Sequence, residues 1–215
     1  MEAVRTLERA APPDSREELP LFPLQAVLFP DGLLALKVFE ARYLDLMAAC
    51  LRQHAAFGVV GLKRGSEVCR PDQPVVFETI GTKAELLDVD SAQAGILMVR
   101  CRGTERFEID SSRQQHDGLW LARTTPIAAD ETVAPTAALD GASRGLADAI
   151  AALDSQGVQP FLLPHRLADA GWVANRWCEL LPIPIAAKQK LMELRDPLMR
   201  LEIVDDFLHK KGVLP

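Results

Sequence analysis

Residues 19–43 read LPLFPLQAVLFPDGLLALKVFEARY, and this stretch decides the fold of the first half of the chain. Its opening, Leu19–Leu24, contains two prolines, which lack the N–H group of a strand ladder and therefore suit an edge or entry strand. Leu33–Phe39 alternates as a half-buried strand does, and Glu40–Arg52 carries its apolar residues at helical spacing. The stretch predicts two strands followed by a helix.

The sequence after this helix predicts more strands, up to residue 128. Short runs rich in Val, Ile, Leu, Phe and Thr are separated by Gly and Pro, a pattern typical of an antiparallel or mixed sheet. The predicted strands are Phe57–Leu62, Val75–Val89, Gly95–Cys101, Arg106–Ile109 and Leu119–Ile127. Turn-rich segments such as Lys63–Ser66 and Asp88–Gln93 link them. Together with the single early helix, these strands predict a small closed or half-closed barrel.

Beyond residue 128 the sequence becomes helical, because alanine and leucine recur at helical spacing. Three predicted helices are Leu139–Leu153, Asp169–Leu181 and Ile185–Leu194. A fourth begins at Asp196 and Pro197, since aspartate accepts backbone bonds at an N-cap and proline suits the first helical position. We predict an α+β protein with a disordered tail (residues 1–16), a β-rich part (17–128) and a helical part (129–215).

Length and composition restrict the class of protein. The 215 residues suffice for one large domain or two small ones, and the longest apolar stretch, Leu180–Ala187, is too short and proline-broken to cross a bilayer. Met1–Arg16 lacks the apolar core of a secretory signal, so we expect a cytoplasmic protein with no membrane partner. The four cysteines are widely spaced and are expected to be reduced, buried thiols.

The charge distribution argues against nucleic-acid binding. Residues 17–128 carry 12 basic and 15 acidic residues, and residues 129–215 carry 9 basic and 12 acidic residues, so each part has a net charge of -3. A nucleic-acid-binding domain usually concentrates positive charge, because neutralised phosphates supply most of its non-specific affinity. Nucleic acid is therefore not an expected partner.

One serine motif imitates a catalytic site. Gly141, Ser143 and Gly145 form G-x-S-x-G, and Asp154 and His165 follow in the chain order of an α/β-hydrolase triad. A nucleophile elbow requires a buried strand before the serine, whereas residues 134–140 read APTAALD. We interpret the motif as the start of a helix rich in small residues, and we predict no catalytic residue.

Neither a metal nor a cofactor is expected. Cys50 and His54 are four residues apart at the end of the first predicted helix, where a pair of metal ligands could share a face. No partner ligands follow at a familiar spacing, so we interpret Cys50 as a core thiol and His54 as a helix-end residue. The sequence also contains no Gly-Lys pair, which excludes a P-loop for nucleotide.

Several motifs together resemble the Lon protease N-terminal substrate-binding domain family. The family pattern is close to LPLFPL, VLFPG, LPL, IFE and RY, which the stretch at residues 19–43 follows in order. FGVVGL, IGTKAEL and RGTERFEI match further on, and LLPIPIAAKQKLMEL and DPLMRLEIVDDFL match near the end. The resemblance covers almost all of residues 17–210. Two departures are Ala35, where the family usually has proline, and Asp31, inserted before Gly32.

This resemblance implies a fold and a function. The fold implied is a PUA-like β pseudobarrel with one helix, followed by a C-terminal helical bundle. Full Lon proteases continue with ATPase and Ser-Lys peptidase modules, whereas this sequence stops at Pro215. We therefore expect a non-catalytic recognition module that binds unfolded or damaged protein segments, or a regulatory protein partner. Its oligomeric state stays open.

The candidate contact surface lies at the turn into the first helix and beside the first strand. An extended peptide could bind there through an exposed strand edge and apolar pockets. The candidate residues are Leu21, Phe22, Phe39, Glu40, Arg42 and Tyr43. The alternative interpretation places Phe39 and Tyr43 in the core and makes Glu40 a helix-start acid.

Two other functions stay open at this point. PUA-like barrels related to this family bind RNA, so an RNA-binding protein is the alternative. The negative charge of the barrel part and the single tyrosine of the chain argue against it, because RNA-binding sheets stack bases on aromatic rings. A hydrolase that uses Ser143 is the third hypothesis.

Overall fold

The computed structural model describes residues 18–67 and 74–214, and in this part of the chain a sheet is followed by a group of helices. The strands are β1 (Leu19–Leu24), β2 (Leu33–Val38), β3 (Phe57–Arg64), β4 (Val76–Phe77), β5 (Ile80–Gln93), β6 (Ile96–Gln114) and β7 (Trp120–Pro126). The helices are α1 (Ala41–Gln53), α2 (Asp140–Ser155), α3 (Ala170–Leu180), α4 (Ile185–Glu193) and α5 (Pro197–Lys210). The predicted α+β class is confirmed. The tail at residues 1–16 and Cys69 lie outside the described residues.

Strand pairing closes the sheet on itself. The path runs from β1 through β7, β6 and β5 to β3, and β3 then pairs in parallel with β1. All other pairings are antiparallel, with β4 attached to β3 and β2 attached to β6. α1 packs Tyr43, Leu46 and Met47 into the core that this sheet surrounds.

β1 is not the edge strand that its prolines predict. Leu19–Leu21 pairs with β7, and Leu21–Leu24 pairs with β3. β1 therefore changes its neighbour at Leu21, so that within the described residues each half has a ladder on one side only. Pro20 and Pro23 fall in different halves, where a missing N–H group is tolerated because one side carries no ladder. The two prolines indicate a half-paired strand.

The longest hairpin also differs from its prediction. The segments Gly95–Cys101 and Arg106–Ile109 join into the single strand β6, and β5 extends through Asp88–Gln93, which the sequence predicts as a turn. The predicted strand Val75–Val89 is instead divided into β4 and β5. Register shifts lie at Thr82/Ala84, Leu86/Asp88 and Ser91/Gln93. Such bulges bend a strand without ending it, so turn-type composition here reflects curvature.

Within the described residues, β2 is paired along one edge. Its six residues pair with Leu97–Arg102 of β6 in antiparallel register. In the described part of the chain, no strand pairs with its opposite edge. The backbone groups along that edge can therefore bond to an additional strand.

The helices agree closely with the sequence. Asp196 accepts backbone bonds from Leu198 N (2.9 Å) and Met199 N (3.1 Å), and Pro197 is the first residue of α5, as predicted. Asp169 caps α3 in the same way, through Gly171 N at 3.0 Å. The N-cap of α1 is Glu40.

A buried ionic cluster joins the sheet to the helices. Arg106 of β6 and Arg200 of α5 are almost fully buried, and Asp130 binds both, with Arg200 Nη1 2.7 Å from Asp130 Oδ2. Arg106 Nη1 also donates to the carbonyl of Met192 (2.8 Å), and Arg200 Nε donates to that of Leu191 (2.8 Å). Burial lowers the pKa of Arg106, and the Asp130 carboxylate opposes that shift. This shared carboxylate compensates two buried guanidinium groups.

We expect Asp130→Asn to destabilise the protein by roughly 3 kcal/mol, because it leaves two buried cations without their anion. Denaturant unfolding measures this change. Asp148→Asn, at an exposed position of α2, is the matched control and should change stability by less than about 0.5 kcal/mol. Equal unfolding free energies for the two variants would contradict the role of Asp130.

Candidate functional site

An apolar groove of about 380 Å³ opens between β1 and β2 at the start of α1. Leu24 of β1 and Leu36 and Val38 of β2 line its walls, with Phe22 and Tyr43 beside them. The charged residues that line the groove are Lys37, Glu40 and Glu67. The free edge of β2 thus borders a concave apolar surface.

Aromatic stacking positions one wall of the groove. The rings of Phe22 and Tyr43 stack with centroids 3.9 Å apart and planes at 12°. The Arg42 guanidinium lies 4.6 Å from the centre of the Tyr43 ring. Such stacked and cation–π contacts fix ring orientation as well as adding stability. β1 and α1 are therefore held at a defined separation.

Arg42 also anchors the start of α1. Its Nη1 donates to the carbonyl of Gly118 in the β6–β7 turn at 2.9 Å, and its Nη2 forms an ion pair with Glu40 at 2.9 Å. The side chain is almost fully buried, which makes these charge-assisted bonds stronger than surface contacts. Arg42 is thus a positioning residue beneath the groove.

The structure separates the other five predicted contact residues into three groups. Leu21 has no exposed surface, belongs to a core cluster with Val60 and Phe107, and does not line the groove. Phe22 and Tyr43 are nearly buried but line the groove. Phe39 is 51% exposed and lines the groove with Glu40, so Phe39 is not a core residue.

Sequence reasoning missed the β2 side of the groove. Leu34, Leu36 and Val38 all line it, and they are spaced two residues apart. That spacing places them on one face of β2, and it was the available signal. The sequence did not identify β2 as a strand with an unpaired edge, because the two prolines predicted an edge at β1 instead.

The G-x-S-x-G motif around Ser143 and the helix-end residue His54 have structural roles. Ser143 is buried within α2, and no strand precedes it, so the nucleophile elbow is absent from this segment. A side chain at Gly145 would approach Leu214 to 2.7 Å, which explains why a small residue stands there. His54 is the C-cap of α1 with φ 51°, which confirms its assignment to the helix end.

The described thiols are buried. Cys50, Cys101 and Cys178 are free, and burial raises the pKa of Cys101 and Cys178 to about 12. Such thiols carry little thiolate at neutral pH and react slowly. Residues 18–67 and 74–214 contain no group of three or more His, Cys, Asp or Glu side chains suited to a metal ion. None of the helices in these residues has the length and apolar character needed to span a membrane.

Comparison with known proteins gives a consistent result. The family model for the ATP-dependent protease La (LON) substrate-binding domain matches residues 18–210. A Lon N-terminal domain protein from Xanthomonas campestris superposes with a TM-score of 0.70 at 30% identity, over 87% of this chain and 96% of that one. The N-terminal domain of Mycobacterium avium complex Lon protease shares the fold, with a TM-score of 0.60 at 15% identity over 88% and 97% of the two chains. No curated protein matches the chain.

We expect the two aromatic residues at the start of α1 to differ in stability effect. Tyr43→Ala should cost roughly 3 kcal/mol of unfolding free energy, because it removes a buried ring that stacks on Phe22. Phe39→Ala should cost less than about 1 kcal/mol, because half of that side chain is already exposed. Thermal or urea unfolding measures both. A large loss of unfolding free energy in Phe39→Ala would show that Phe39 is packed in the core.

Proposed function

The chain belongs to the Lon substrate-binding domain family, and from this premise we propose that it binds extended polypeptide segments in the groove beside β2 without cleaving them. Protein-substrate binding in general is what the family provides. The observation that carries the more specific proposal is the coincidence of the free edge of β2 with an apolar groove.

Main-chain hydrogen bonds would supply affinity. Only one edge of β2 pairs with β6, so the backbone groups of alternate residues are directed to the other edge. Phe22–Leu24 of β1, across the groove, has a ladder to β3 and none on its other side within the described residues. An extended segment that enters this gap would find strand edges on both sides, which is the geometry of strand addition.

Side-chain contacts would supply preference. In an extended peptide alternate side chains point the same way, so every second side chain would face the apolar walls at Leu36 and Val38. Unfolded or damaged proteins expose such segments, whereas folded proteins bury them. The lining charges, Lys37 against Glu40 and Glu67, are few beside the apolar residues. The proposed ligand is therefore an apolar extended segment, of an unfolded client or of a regulatory partner.

Three surface cations of the sheet are already paired with acids, which favours protein over RNA as the ligand. Arg113 pairs with Glu18, Lys83 pairs with Glu105, and Lys63 pairs with Glu78. A phosphate-binding surface needs cations whose charge is not already compensated. The thiols of the described residues are free and buried, which agrees with the reducing cytoplasm that we propose as the compartment.

A peptide titration tests the groove. The probe is a fluorescein-labelled peptide of alternating apolar and small polar residues, and anisotropy reports its binding. Phe39→Asp should weaken binding about ten-fold or more, because it puts a charge into the apolar lining. Leu51→Asp is the matched control, since Leu51 is 48% exposed on α1 and does not line the groove. It should change affinity less than about two-fold.

A second peptide tests strand addition itself. Methylation of alternate backbone nitrogens in the same peptide removes the N–H donors along one edge and keeps every side chain. We expect this peptide to lose binding to the unmodified protein. If it binds as well as its parent, or if Phe39→Asp and Leu51→Asp bind alike, the groove is not the site.

A further inference from the structure

A second concave surface lies where the sheet meets the helical part. Leu87 of β5 forms one side, and Leu162, Leu163 and Pro164, which precede α3, form the other. The concavity measures about 330 Å³, and it shares no lining residue with the groove beside β2. Leu163 is 79% exposed and Leu87 is 48% exposed, so two large apolar side chains face solvent here. This apolar part is called the leucine shelf below.

Two arginines stand beside the leucine shelf and share one carboxylate. Arg102 Nη2 lies 2.6 Å from Asp31 Oδ1, and Arg166 Nη2 binds the other oxygen of Asp31. These three are the charged residues that line the concavity, which leaves a net charge of about +1 there by formal charges. The sign of this local charge is opposite to the net charge of -6 of the whole chain.

Both guanidinium groups retain donors for a ligand. Each side chain is 47% exposed, and an arginine carries five N–H donors. Apart from Asp31, Asp169 Oδ2 lies 4.0 Å from Arg166 Nε, and Glu85 is the β5 residue opposite Arg102 in the strand register. A carboxylate can therefore bind to the unused donors without displacing Asp31.

The backbone holds Asp31 rigidly in place. Asp31 has φ 58°, in the left-handed region that costs a non-glycine residue roughly 1 kcal/mol or more. Asp31 N donates to Gly103 O at 2.8 Å, and Gly103 N donates to Gly32 O at 2.9 Å. The buried Arg176 donates to the carbonyl of Pro30 at 2.9 Å. A strained residue secured on both sides can keep the two arginines in a fixed arrangement.

From these features we propose that this concavity binds the C-terminal carboxylate of a polypeptide whose last residue is apolar. The arginine pair would bind the α-carboxylate, and the leucine shelf would hold the last side chain. Both groups of the ligand leave the same Cα, so they reach one small concavity together. An acidic side chain and its apolar neighbour point to opposite faces of an extended chain, and they fit this arrangement less well.

This site goes beyond the groove, because it takes the end of a chain where the groove takes an internal segment. Charge complementarity selects the ligand: one carboxylate matches the residual positive charge of the arginine pair. The neighbouring concavity at the same junction shares Asp31, Arg102 and Arg166 with this one. It adds Arg106 and three further acids, Glu105, Asp130 and Asp169, so four acids against three arginines give it a net charge of about -1 by formal charges, which is less favourable for an anion. The proposal therefore concerns the leucine shelf and the arginine pair alone.

Three labelled peptides test the proposal on the full chain. They share one flexible sequence and end in leucine with a free carboxylate, in leucine with an amide, and in serine with a free carboxylate. We expect the first to bind at concentrations up to about 1 mM and each of the others to bind about ten-fold more weakly. Equal binding of the acid and the amide, or no binding of the acid, would overturn the proposal.

Two variants locate the binding. Arg166→Gln and Leu163→Ser should each weaken binding of the leucine acid about five-fold or more. Arg144→Gln and Val158→Ser, at exposed positions outside the concavity, are the matched controls and should bind as the parent protein does. Leu163→Ser removes a mostly exposed side chain, so its melting temperature should stay unchanged, and it tests the site even if Arg166→Gln is unstable.

A competition experiment separates this site from the groove. The alternating peptide of the groove titration should not displace the leucine acid. Displacement, or equal weakening by the control variants, would assign the binding elsewhere and refute the site.

Discussion

The change of neighbour in the middle of β1 is the constraint on which the rest of the sheet depends. Because β1 pairs with β7 before Leu21 and with β3 after it, the sheet closes into a ring. Within the described residues, the same change leaves the second half of β1 paired with β3 alone, and this half and β2 both line the groove. The closure of the sheet and the groove therefore both result from the change of neighbour in β1. Pro20 and Pro23 are compatible with this change, because neither has an N–H group that would need a second ladder.

Local signals in the sequence are sufficient for the helices and insufficient for the sheet. Asp196 and Pro197 set the start of α5 through contacts within four residues, so a short window of sequence determines it. Strand neighbours depend on residues far apart, such as Leu21 and Gly58, and no local pattern specifies them. The candidate site follows this division. Phe39 and Glu40 could be identified from the turn into α1, whereas the β2 wall required knowledge of the pairing.

The two proposed sites have different physical character because they rest on different parts of the fold. The groove is formed by a strand edge and apolar side chains, so it depends on backbone bonding and burial of apolar surface. The arginine pair and the leucine shelf lie at the junction that Asp130, Arg106 and Arg200 hold together. The two proposals together give one scaffold that recognises a polypeptide by its internal segments and by its end.

The free edge of β2 also has a cost for the protein at high concentration. A strand that reads LLALKV and lacks a partner on one edge can pair with the same strand of another copy, which is a route to aggregation. Lys37 is the one charged residue of this strand, and a lysine on an edge opposes such pairing because its ammonium group must stay hydrated. Lys37 thus disfavours self-association along the same edge that we propose for ligand binding.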